Sequence, residues 1–297
     1  MTIGIVGLGL IGGSLAKAIR KKTEHTVLGG DVQDAIVLRA QAFEAIHGEL
    51  TDESLAECDI VFLAVYPQDA MDYAIAHAEQ FKKGGIVVDC CGVKSAVCPR
   101  LFALAKAHSF IFVGGHPMAG IEYSGFLHAQ SHLFEGASMI LVPNGEQRLQ
   151  GDILDADTAN NQAPEDTGAL IAALHTLKQL FLSLGFSKVP VVTMEEHDRV
   201  IAYTSQLAHV VSSAYVKCPH AKKDSLAAGS FQDMTRVAQL NADMWTQLFL
   251  LNRTPLLEEL DGLISRLQSY ADALRNGEAQ ILWNLLEEGN RIKVALT

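Results

Sequence analysis

A glycine-rich turn near the start of the chain constrains the possible fold more than any other feature. Ile3, Ile5 and Val6 form a short apolar run, and apolar residues recur at helical spacing from 15 to 19. The pattern predicts a strand, a tight turn and a helix. Three glycines in the turn let the chain reverse, let a pyrophosphate approach the backbone, and let the helix pack closely on the strand. The predicted ligand contacts of this turn are Gly7, Leu8, Gly9, Leu10, Ile11 and Gly12.

A carboxylate follows the second predicted strand. The apolar run 26–30 ends at Asp31, about 20 residues beyond the glycine turn, where dinucleotide-binding folds place a ribose-binding carboxylate. Such a carboxylate accepts hydrogen bonds from a ribose diol and repels a 2′-phosphate. The two features together predict a dinucleotide site that takes NAD in preference to NADP. The alternative interpretation is a structural glycine turn followed by a surface aspartate.

The composition argues against several other classes of protein. The 297 residues carry a net charge of −11, which is unfavourable for non-specific binding to nucleic acid. No apolar run approaches the roughly 20 residues that span a bilayer, and no basic segment leads into an apolar one at the N-terminus. The five cysteines include no repeated CxxC pair, so neither a disulfide framework nor a metal site is expected. We expect a cytoplasmic enzyme with a small-molecule substrate and no nucleic-acid or membrane partner.

Strand and helix patterns alternate through the first two thirds of the chain. Continuous apolar runs such as 59–65 indicate parallel strands that are buried on both faces. We therefore expect an α/β doubly wound parallel sheet of the Rossmann type over residues 1–193. The acidic segment 144–167 has too little apolar material to pack and is predicted to be a surface excursion. Further strands are predicted at 85–89, 110–113, 139–143 and 188–192, and helices at 34–45, 69–81, 96–107 and 169–184.

From residue 194 onward the strand patterns stop and long helical patterns replace them. They predict a second, all-α domain over residues 194–297. Because this half is rich in leucine, isoleucine and valine, we expect it to bury apolar surface against a second copy and form a homodimer. The predicted helices are 197–215, 238–252, 255–276 and 278–293.

In a doubly wound sheet, ligands bind beyond the carboxyl ends of the strands. The segments expected at that edge are 65–67, 89–95 and 114–120. Their predicted cofactor contacts are Val65, Tyr66, Asp89 and Gly92.

His116 is the candidate proton acceptor at this edge. It follows two glycines, which permit close approach of a ligand or of backbone, and it precedes Pro117. An imidazole suits proton abstraction because its ordinary pKa is near neutrality. The alternative is a structural histidine at a turn.

Further polar residues occur in the second strand-end segment and in the helical half. Lys94 or Ser95 could contact cofactor or substrate, although an ordinary exposed loop is nearly as good an interpretation. Asp198 and His209 lie eleven residues apart, about three helical turns, and are expected to share one face. Arg236, with Trp245 nine residues further on, is a candidate bidentate partner for a substrate carboxylate.

Several of these segments together resemble the prephenate and arogenate dehydrogenases of tyrosine biosynthesis. The resemblance covers nearly the whole chain. The block GGHPMAG and the paired HD and DMTR segments are specific to that family, whereas the glycine fingerprint alone is not. The matching segments are GLGLIGGS, DCCGVK, GGHPMAG with its continuation IEYSGFLHAQSHLFEGAS, HDRVIAYTSQLAH, SFQDMTR and the pair MW at 244–245.

The resemblance implies a Rossmann domain followed by a helical dimerisation domain, and NAD(P)-dependent oxidative decarboxylation. In that reaction a hydride leaves the ring carbon that bears the hydroxyl, and CO₂ leaves the opposite ring carbon. The resemblance also implies that His116 accepts a hydrogen bond or proton from the ring hydroxyl and that Arg236 binds a carboxylate. His209 matches the other substrate-site histidine of the family. Ser95 and Trp245 complete the predicted substrate site. Prephenate, giving 4-hydroxyphenylpyruvate, is the expected substrate, and arogenate is the alternative.

The chain departs from the family pattern at Gly92, where many members have a serine that helps to hold the substrate hydroxyl and the nicotinamide. Either Ser95, Tyr66 or water supplies the hydrogen bond of that serine, or His116 alone holds the substrate hydroxyl. Ala208 stands where proline is usual, which we expect to be neutral. Two other functions are weighed against the dehydrogenase: a β-hydroxyacid dehydrogenase, which would want a catalytic lysine at the start of the helical half, and a non-catalytic NAD-sensing regulator.

Overall fold

The computed structural model describes residues 1–121, 123–145, 165–218 and 229–296. A seven-stranded sheet with the order β3-β2-β1-β4-β5-β6-β7 forms its centre. The predicted Rossmann-type sheet, followed by a helical half, is confirmed. The strands are β1 (Thr2–Val6), β2 (Thr26–Gly30), β3 (Gly48–Glu49), β4 (Ile60–Leu63), β5 (Ile86–Asp89), β6 (Ile111–Pro117) and β7 (Met139–Pro143).

The expectation of a wholly parallel sheet was wrong at one edge. The first six strands are parallel, but β7 pairs antiparallel with β6. Between these two strands the described helix is a single 3₁₀ turn at Phe126–His128. A parallel pair needs a long crossover, usually through an α-helix, and this connection has none among its described residues.

In the described part of the chain, six helices cover the two faces of the sheet. Alternation of side chains along each strand sends Ile60 and Phe62 into one apolar core and Val61 and Leu63 into the other. The short β3 is not among the predicted strands. The helices are α1 (Leu10–Lys22), α2 (Asp34–Ala42), α3 (Asp52–Leu55), α4 (Pro67–Ala76), α5 (Cys98–His108) and α6 (Glu165–Ser183).

The predicted strand at 188–192 contacts the sheet only in part. The N–H groups of Met139 and Leu141 donate to the carbonyls of Lys188 and Pro190, each at 2.9 Å. Two isolated bridges result, rather than a strand. Because Pro190 has no N–H, it cannot donate a hydrogen bond to β7, which limits the ladder.

The helical half begins with an interrupted helix. A single helix at 197–215 was expected, but a π-helical turn at Ala202–Gln206 separates α7 from α8. The other predicted helices are found with shifted ends. The elements are α7 (Met194–Ile201), α8 (Leu207–Tyr215), α9 (Gly229–Thr235), α10 (Ala242–Leu251), α11 (Arg253–Asn276) and α12 (Ala279–Ala295).

This half has little apolar core of its own. Among the described residues its buried cluster consists of Ala202, Leu207 and Leu256. None of the described helices has the length and apolar character needed to cross a bilayer. Most of the acidic segment predicted as a surface excursion, 146–164, lies outside the described residues.

Candidate functional site

The strand β6 carries His116 further into the sheet than the sequence indicated. We predicted that this strand would end at residue 113, but His116 still pairs with Ile140 of β7. The glycines before it make room for protein atoms. A Cβ on Gly115 would lie 2.5 Å from the carbonyl oxygen of Asp89, and one on Gly114 would lie 3.1 Å from Cδ of Lys94. The close approach predicted at these glycines is therefore made by a neighbouring strand and a lysine side chain.

Asp89 and Lys94 form a fully buried ion pair beside this strand. The Asp89 carboxylate also accepts hydrogen bonds from the N–H groups of Cys91 at 2.9 Å and Gly115 at 3.1 Å. The Lys94 ammonium donates to the Gly115 carbonyl at 2.6 Å. The prediction that Asp89 contacts a cofactor was wrong for its side chain, and so was the suggestion that the Lys94 side chain does. Both side chains are enclosed and engaged with each other because the loop after β5 folds back over the sheet.

A chain of hydrogen bonds connects His116 to the helical half. Nδ1 of His116 lies 2.8 Å from Nε2 of His197, and Nδ1 of His197 lies 2.7 Å from Oδ1 of Asp198. A carboxylate can only accept, so His197 donates from Nδ1 and its Nε2 must be the acceptor. His116 then donates from Nδ1 and keeps an unprotonated Nε2. The geometry thus selects the His116 tautomer that can accept a proton at Nε2.

The electrostatics of the three groups agree with this assignment. Burial, His197 and the Lys94 ammonium together lower the pKa of His116 well below its ordinary value. Burial also lowers the pKa of His197, against the opposing hydrogen bond to Asp198. Burial acts to raise the pKa of Asp198, but hydrogen bonds from His197, Ser95 and Lys94 outweigh it and lower the pKa. At neutral pH the chain is a carboxylate followed by two neutral imidazoles.

Asp198 joins the two halves of the molecule. Its carboxylate oxygens accept from the N–H groups of Lys94 and Ser95, each at 2.8 Å. Its backbone carbonyl accepts from the Asn252 amide at 2.9 Å, and the same amide donates to Gln206 at 2.7 Å. All of Asp198, Gln206 and Asn252 are buried. The bonds from Lys94 and Ser95 hold the second turn of α7 against the loop that follows β5, and Asn252 holds the same turn from the helical half.

The glycine turn has the geometry of a phosphate-binding turn. Gly7 has φ of +85°, a conformation that favours glycine, and a Cβ on Gly12 would lie 1.8 Å from the Gly7 carbonyl oxygen. A Cβ on Gly9 would meet no atom within 4 Å, so the space above it is open to a ligand. The N–H groups of Leu10 and Ile11, in the first turn of α1, have no partner within the helix and can bind an anion.

Asp31 lies beside this turn. Its Oδ2 accepts from the Leu8 N–H at 2.9 Å and its Oδ1 accepts from the Gln33 N–H at 3.0 Å. Each oxygen keeps further lone pairs for ligand hydroxyls. Val65 packs where a Gly7 side chain would be, with its Cγ1 2.5 Å from that position, and Tyr66 is an exposed N-cap of α4. These residues fit a dinucleotide.

A second group of predicted residues lies together in the helical half. The rings of His209 and Trp245 have centroids 4.0 Å apart, and Nδ1 of His209 lies 3.1 Å from the Val237 carbonyl oxygen. Burial lowers the pKa of His209, and the charge of the neighbouring Arg236 lowers it further. Arg236 is exposed just after α9. An exposed guanidinium near an imidazole and an indole can bind the carboxylate of a cyclic ligand.

The expectation that Asp198 and His209 share one helix face was wrong. Asp198 binds the loop after β5, whereas His209 binds Val237. The π-helical turn between them adds a residue to the helical register, so eleven residues no longer correspond to three turns.

Ser95 and Gly92 are the remaining predicted site residues. Ser95 is exposed, but its N–H and its hydroxyl both bind Asp198, so its predicted contact with substrate stays a prediction. At Gly92 a Cβ would lie 3.5 Å from the Leu248 side chain and 3.9 Å from Cε1 of His116. Position 92 therefore faces the imidazole and has room for a small side chain.

Sequence reasoning did not identify the role of His197. The adjacent His197 and Asp198 are visible in the sequence, but the partner of His197, His116, lies 81 residues earlier in the chain. The buried amides of Gln206 and Asn252 were also missed. In the sequence, the sign of such a buried amide is a polar residue among the apolar residues of a helical pattern. Across the described ranges no group of three or more histidine, cysteine, aspartate or glutamate side chains is placed to hold a metal ion.

A Rossmann-type sheet with a phosphate-binding turn, a proton acceptor at its carboxyl edge and an appended helical half defines a dehydrogenase-class protein. Residues 15–153 match the family model for the nucleotide-binding domain of prephenate dehydrogenase, and residues 193–288 match the model for its dimerization domain. The chain therefore belongs to the prephenate dehydrogenase family.

Individual relatives cover nearly all of the chain. The cyclohexadienyl dehydrogenase of Zymomonas mobilis is 30% identical over 99% of this chain and 95% of its own. Synechocystis arogenate dehydrogenase is 26% identical, with a TM-score of 0.78 and complete coverage of both chains. The prephenate dehydrogenase of A. aeolicus, in complex with hydroxyphenyl propionate and NAD+, is 24% identical and has a TM-score of 0.80 over 100% of this chain and 98% of that one. At that identity the last comparison supports the fold alone.

Proposed function

We propose that this protein catalyses the NAD-dependent oxidative decarboxylation of prephenate to 4-hydroxyphenylpyruvate, with arogenate as the alternative substrate. One observation carries the proposal most directly: the hydrogen bonds from Asp198 through His197 leave Nε2 of His116 free to accept a proton. Family membership supplies the class of reaction, and the dehydrogenases that resemble the chain include both substrate types by name.

The glycine turn and Asp31 are proposed to hold NAD. The open space above Gly9 and the N–H groups of Leu10 and Ile11 suit a pyrophosphate, and the Asp31 carboxylate suits an unphosphorylated ribose. When bound, NAD+ supplies the hydride acceptor. We propose that the sheet-based residues 1–193 bind the dinucleotide and that the helical residues 194–297 contribute most of the substrate contacts.

His116 is the proposed catalytic residue. Nε2 accepts a hydrogen bond from the ring hydroxyl, or its proton. At the same time a hydride departs from the ring carbon that bears this hydroxyl. Loss of CO₂ from the opposite ring carbon leaves the bonding electron pair in the ring, and the phenolate oxygen takes back any proton that His116 has accepted. Formation of the aromatic ring drives the reaction. As charge develops on the imidazole, His197 can accept more strongly from Nδ1, and the Asp198 carboxylate stabilises the positive charge on the pair.

Arg236 is proposed to bind a substrate carboxylate, with His209 and Trp245 beside it. A guanidinium forms charge-assisted, bidentate hydrogen bonds with a carboxylate. The indole and imidazole offer flat surfaces to the ring, which limits the orientation of the substrate. Prephenate and arogenate differ at the end of the side chain, which carries a keto group in prephenate and an amine in arogenate.

We also propose that the protein acts as a cytoplasmic homodimer through the helical half. A row of exposed apolar residues runs along α11 at spacings of seven and three, and α12 adds further ones. Exposed apolar stripes of this kind favour association with a second helix surface. Light scattering should give the mass of a dimer at micromolar concentration, and a monomer alone would contradict this. The residues are Leu257, Ile264, Leu267 and Leu274 on α11, with Ile281, Trp283 and Leu286 on α12.

The test of the proposed activity is to offer the purified chain prephenate, arogenate and a set of β-hydroxyacids, each with NAD and with NADP. Formation of reduced nicotinamide is followed by absorbance, and release of CO₂ is measured in parallel. We expect the highest kcat/KM for prephenate with NAD. Equal or higher kcat/KM with arogenate would favour the alternative substrate. NAD binding without turnover would favour the regulator, and turnover of β-hydroxyacids alone would favour that other class of dehydrogenase.

A further inference from the structure

Lys94 is a charged residue that the proposed reaction does not use. Its side chain is fully buried, which is rare for lysine because the ammonium loses its hydration. The ammonium is held by the Asp89 carboxylate and by the Gly115 carbonyl at 2.6 Å. Gly115 directly precedes His116, so the ammonium contacts the backbone of the residue next to the proposed base.

The backbone of Lys94 contacts the same site from the other side. Its N–H donates to Oδ1 of Asp198 at 2.8 Å, and that oxygen is also the one bound by His197. Lys94 therefore contacts the strand of His116 with its side chain. With its backbone N–H it contacts the carboxylate that orients His197. Two independent contacts fix the position of the cation relative to both imidazoles.

A buried cation acts strongly on a neighbouring imidazole because little water screens it. The charged or titratable groups around His116 are His197 and Asp198 from α7, and Lys94 with its partner Asp89 from β5 and the loop after it. Asp198 favours a protonated imidazole, while Lys94 and a protonated His197 disfavour one. Lys94 thus opposes Asp198.

We propose that Lys94 is a positioning residue whose buried ammonium, clamped by Asp89 and the Gly115 carbonyl, keeps His116 unprotonated and ready to accept a proton. Asp198 favours a proton on the imidazole pair, whereas burial and the Lys94 ammonium disfavour one on His116. Lys94 thus adds to the effect of burial, so the pair remains neutral until substrate supplies the proton. The consequence for turnover depends on the proposed function, whereas the effect on His116 itself does not.

The main test replaces the buried pair by uncharged residues of similar size, in the variant D89N/K94M. The amide introduced at position 89 keeps an acceptor for the Gly115 N–H. The protonation of His116 is followed by NMR in full-length protein labelled at histidine Cε1, with the signal assigned from His116→Asn. We expect the pKa of His116 to rise by roughly one unit or more relative to the wild-type protein. The acid limb of kcat/KM should move to higher pH by the same amount.

A matched control removes a different ion pair. D59N/K82M deletes the Lys82–Asp59 pair, which is 2.6 Å long and partly exposed at the other end of the strands. It should leave the titration of His116 unchanged. An unchanged His116 pKa in D89N/K94M, or an equal rise in D59N/K82M, would overturn the proposal.

A second measurement does not depend on the folding of the variant. The side-chain nitrogen of Lys94 is observed by NMR in the wild-type protein between pH 5 and 9. Burial acts to lower the pKa of Lys94, but Asp89 outweighs it and raises the pKa to about 12, so the amine should stay charged throughout. A neutral Lys94 in this range would refute the proposal. If neither prephenate nor arogenate is oxidised, the proposed function fails, but both NMR tests still decide the role of Lys94.

Discussion

Nδ1 of His116 and Nε2 of His197 lie 2.8 Å apart, which places two imidazoles from different halves of the chain in one hydrogen bond. Because Asp198 binds the far nitrogen of His197, the direction of this hydrogen bond is determined. The proton-accepting nitrogen of His116 is thus set by a carboxylate that does not touch it.

Replacing His116 by asparagine should remove the proton acceptor. We expect kcat to fall by roughly two to four orders of magnitude, the usual effect of losing a general base, with NAD affinity unchanged. Steady-state kinetics and NAD titration by fluorescence measure the two quantities. Activity within a few-fold of the wild-type protein would remove His116 from the mechanism.

Replacing Asp198 by asparagine should disturb the tautomer of the imidazole pair. The carboxylate accepts from His197 and from the N–H groups of Lys94 and Ser95, whereas an amide has a single acceptor oxygen. If its NH2 group turns toward His197, it loses the Lys94 N–H bond and donates to Nδ1, which reverses both hydrogen bonds and places a proton on Nε2 of His116. A reversed tautomer lowers kcat by up to about 10⁴ in a comparable triad. We expect a loss of roughly 10²-fold or more in kcat, with little change in KM for NAD. Wild-type kcat in Asp198→Asn would show that the tautomer is set by another group.

Replacing Arg236 by glutamine should weaken substrate binding. A hydrogen bond to a charged group contributes about 1.5 to 3 kcal/mol, so KM for the substrate should rise by roughly ten- to a hundredfold. Because His116 is untouched, kcat should change much less. The exposed Arg199→Gln variant is a control for loss of a positive charge from the helical half. An unchanged KM in Arg236→Gln would exclude the carboxylate contact.

Replacing Gly92 by serine should be tolerated. The new Cβ would be in ordinary van der Waals contact with Leu248 and His116, so the free energy of unfolding should change by less than about 0.5 kcal/mol. A hydroxyl beside the imidazole should lower KM for the substrate by roughly two- to tenfold, the effect of one hydrogen bond. Gly92→Ala adds the same Cβ without the hydroxyl and should not lower KM. An equal effect of both substitutions would argue against that hydrogen bond.

The free energy of unfolding should decrease as pH falls below about 6.5. Folding lowers the pKa values of His116, His197 and His209, so the unfolded chain binds protons that the native protein does not. Above their ordinary pKa both states are neutral and no such effect remains. Urea unfolding at pH 7.5 and 5.5, at one protein concentration, measures the difference. His116→Asn should reduce it, whereas asparagine at the exposed His132 should not.

Much of the fold could be predicted because its signals are local. Buried parallel strands are continuous apolar runs, and the tight turn needs glycine at Gly7 and Gly12, so both are visible in short windows of sequence. The direction of β7 could not be predicted, because its apolar pattern is the same in a parallel or an antiparallel pair. The π-helical turn was invisible for a similar reason, since its residues continue the helical pattern.

The candidate site also has features that the sequence predicts and features that depend on the tertiary structure. The sequence by itself determined the chemical types of its groups: an imidazole at a strand end, a carboxylate after the second strand, and a guanidinium in the helical half. Only the tertiary structure decided that Asp89 and Lys94 form an ion pair in the interior, and that His197 and Asp198 select the proton-accepting nitrogen of His116. Burial and hydrogen-bond direction arise from contacts between distant segments, and no local pattern encodes them.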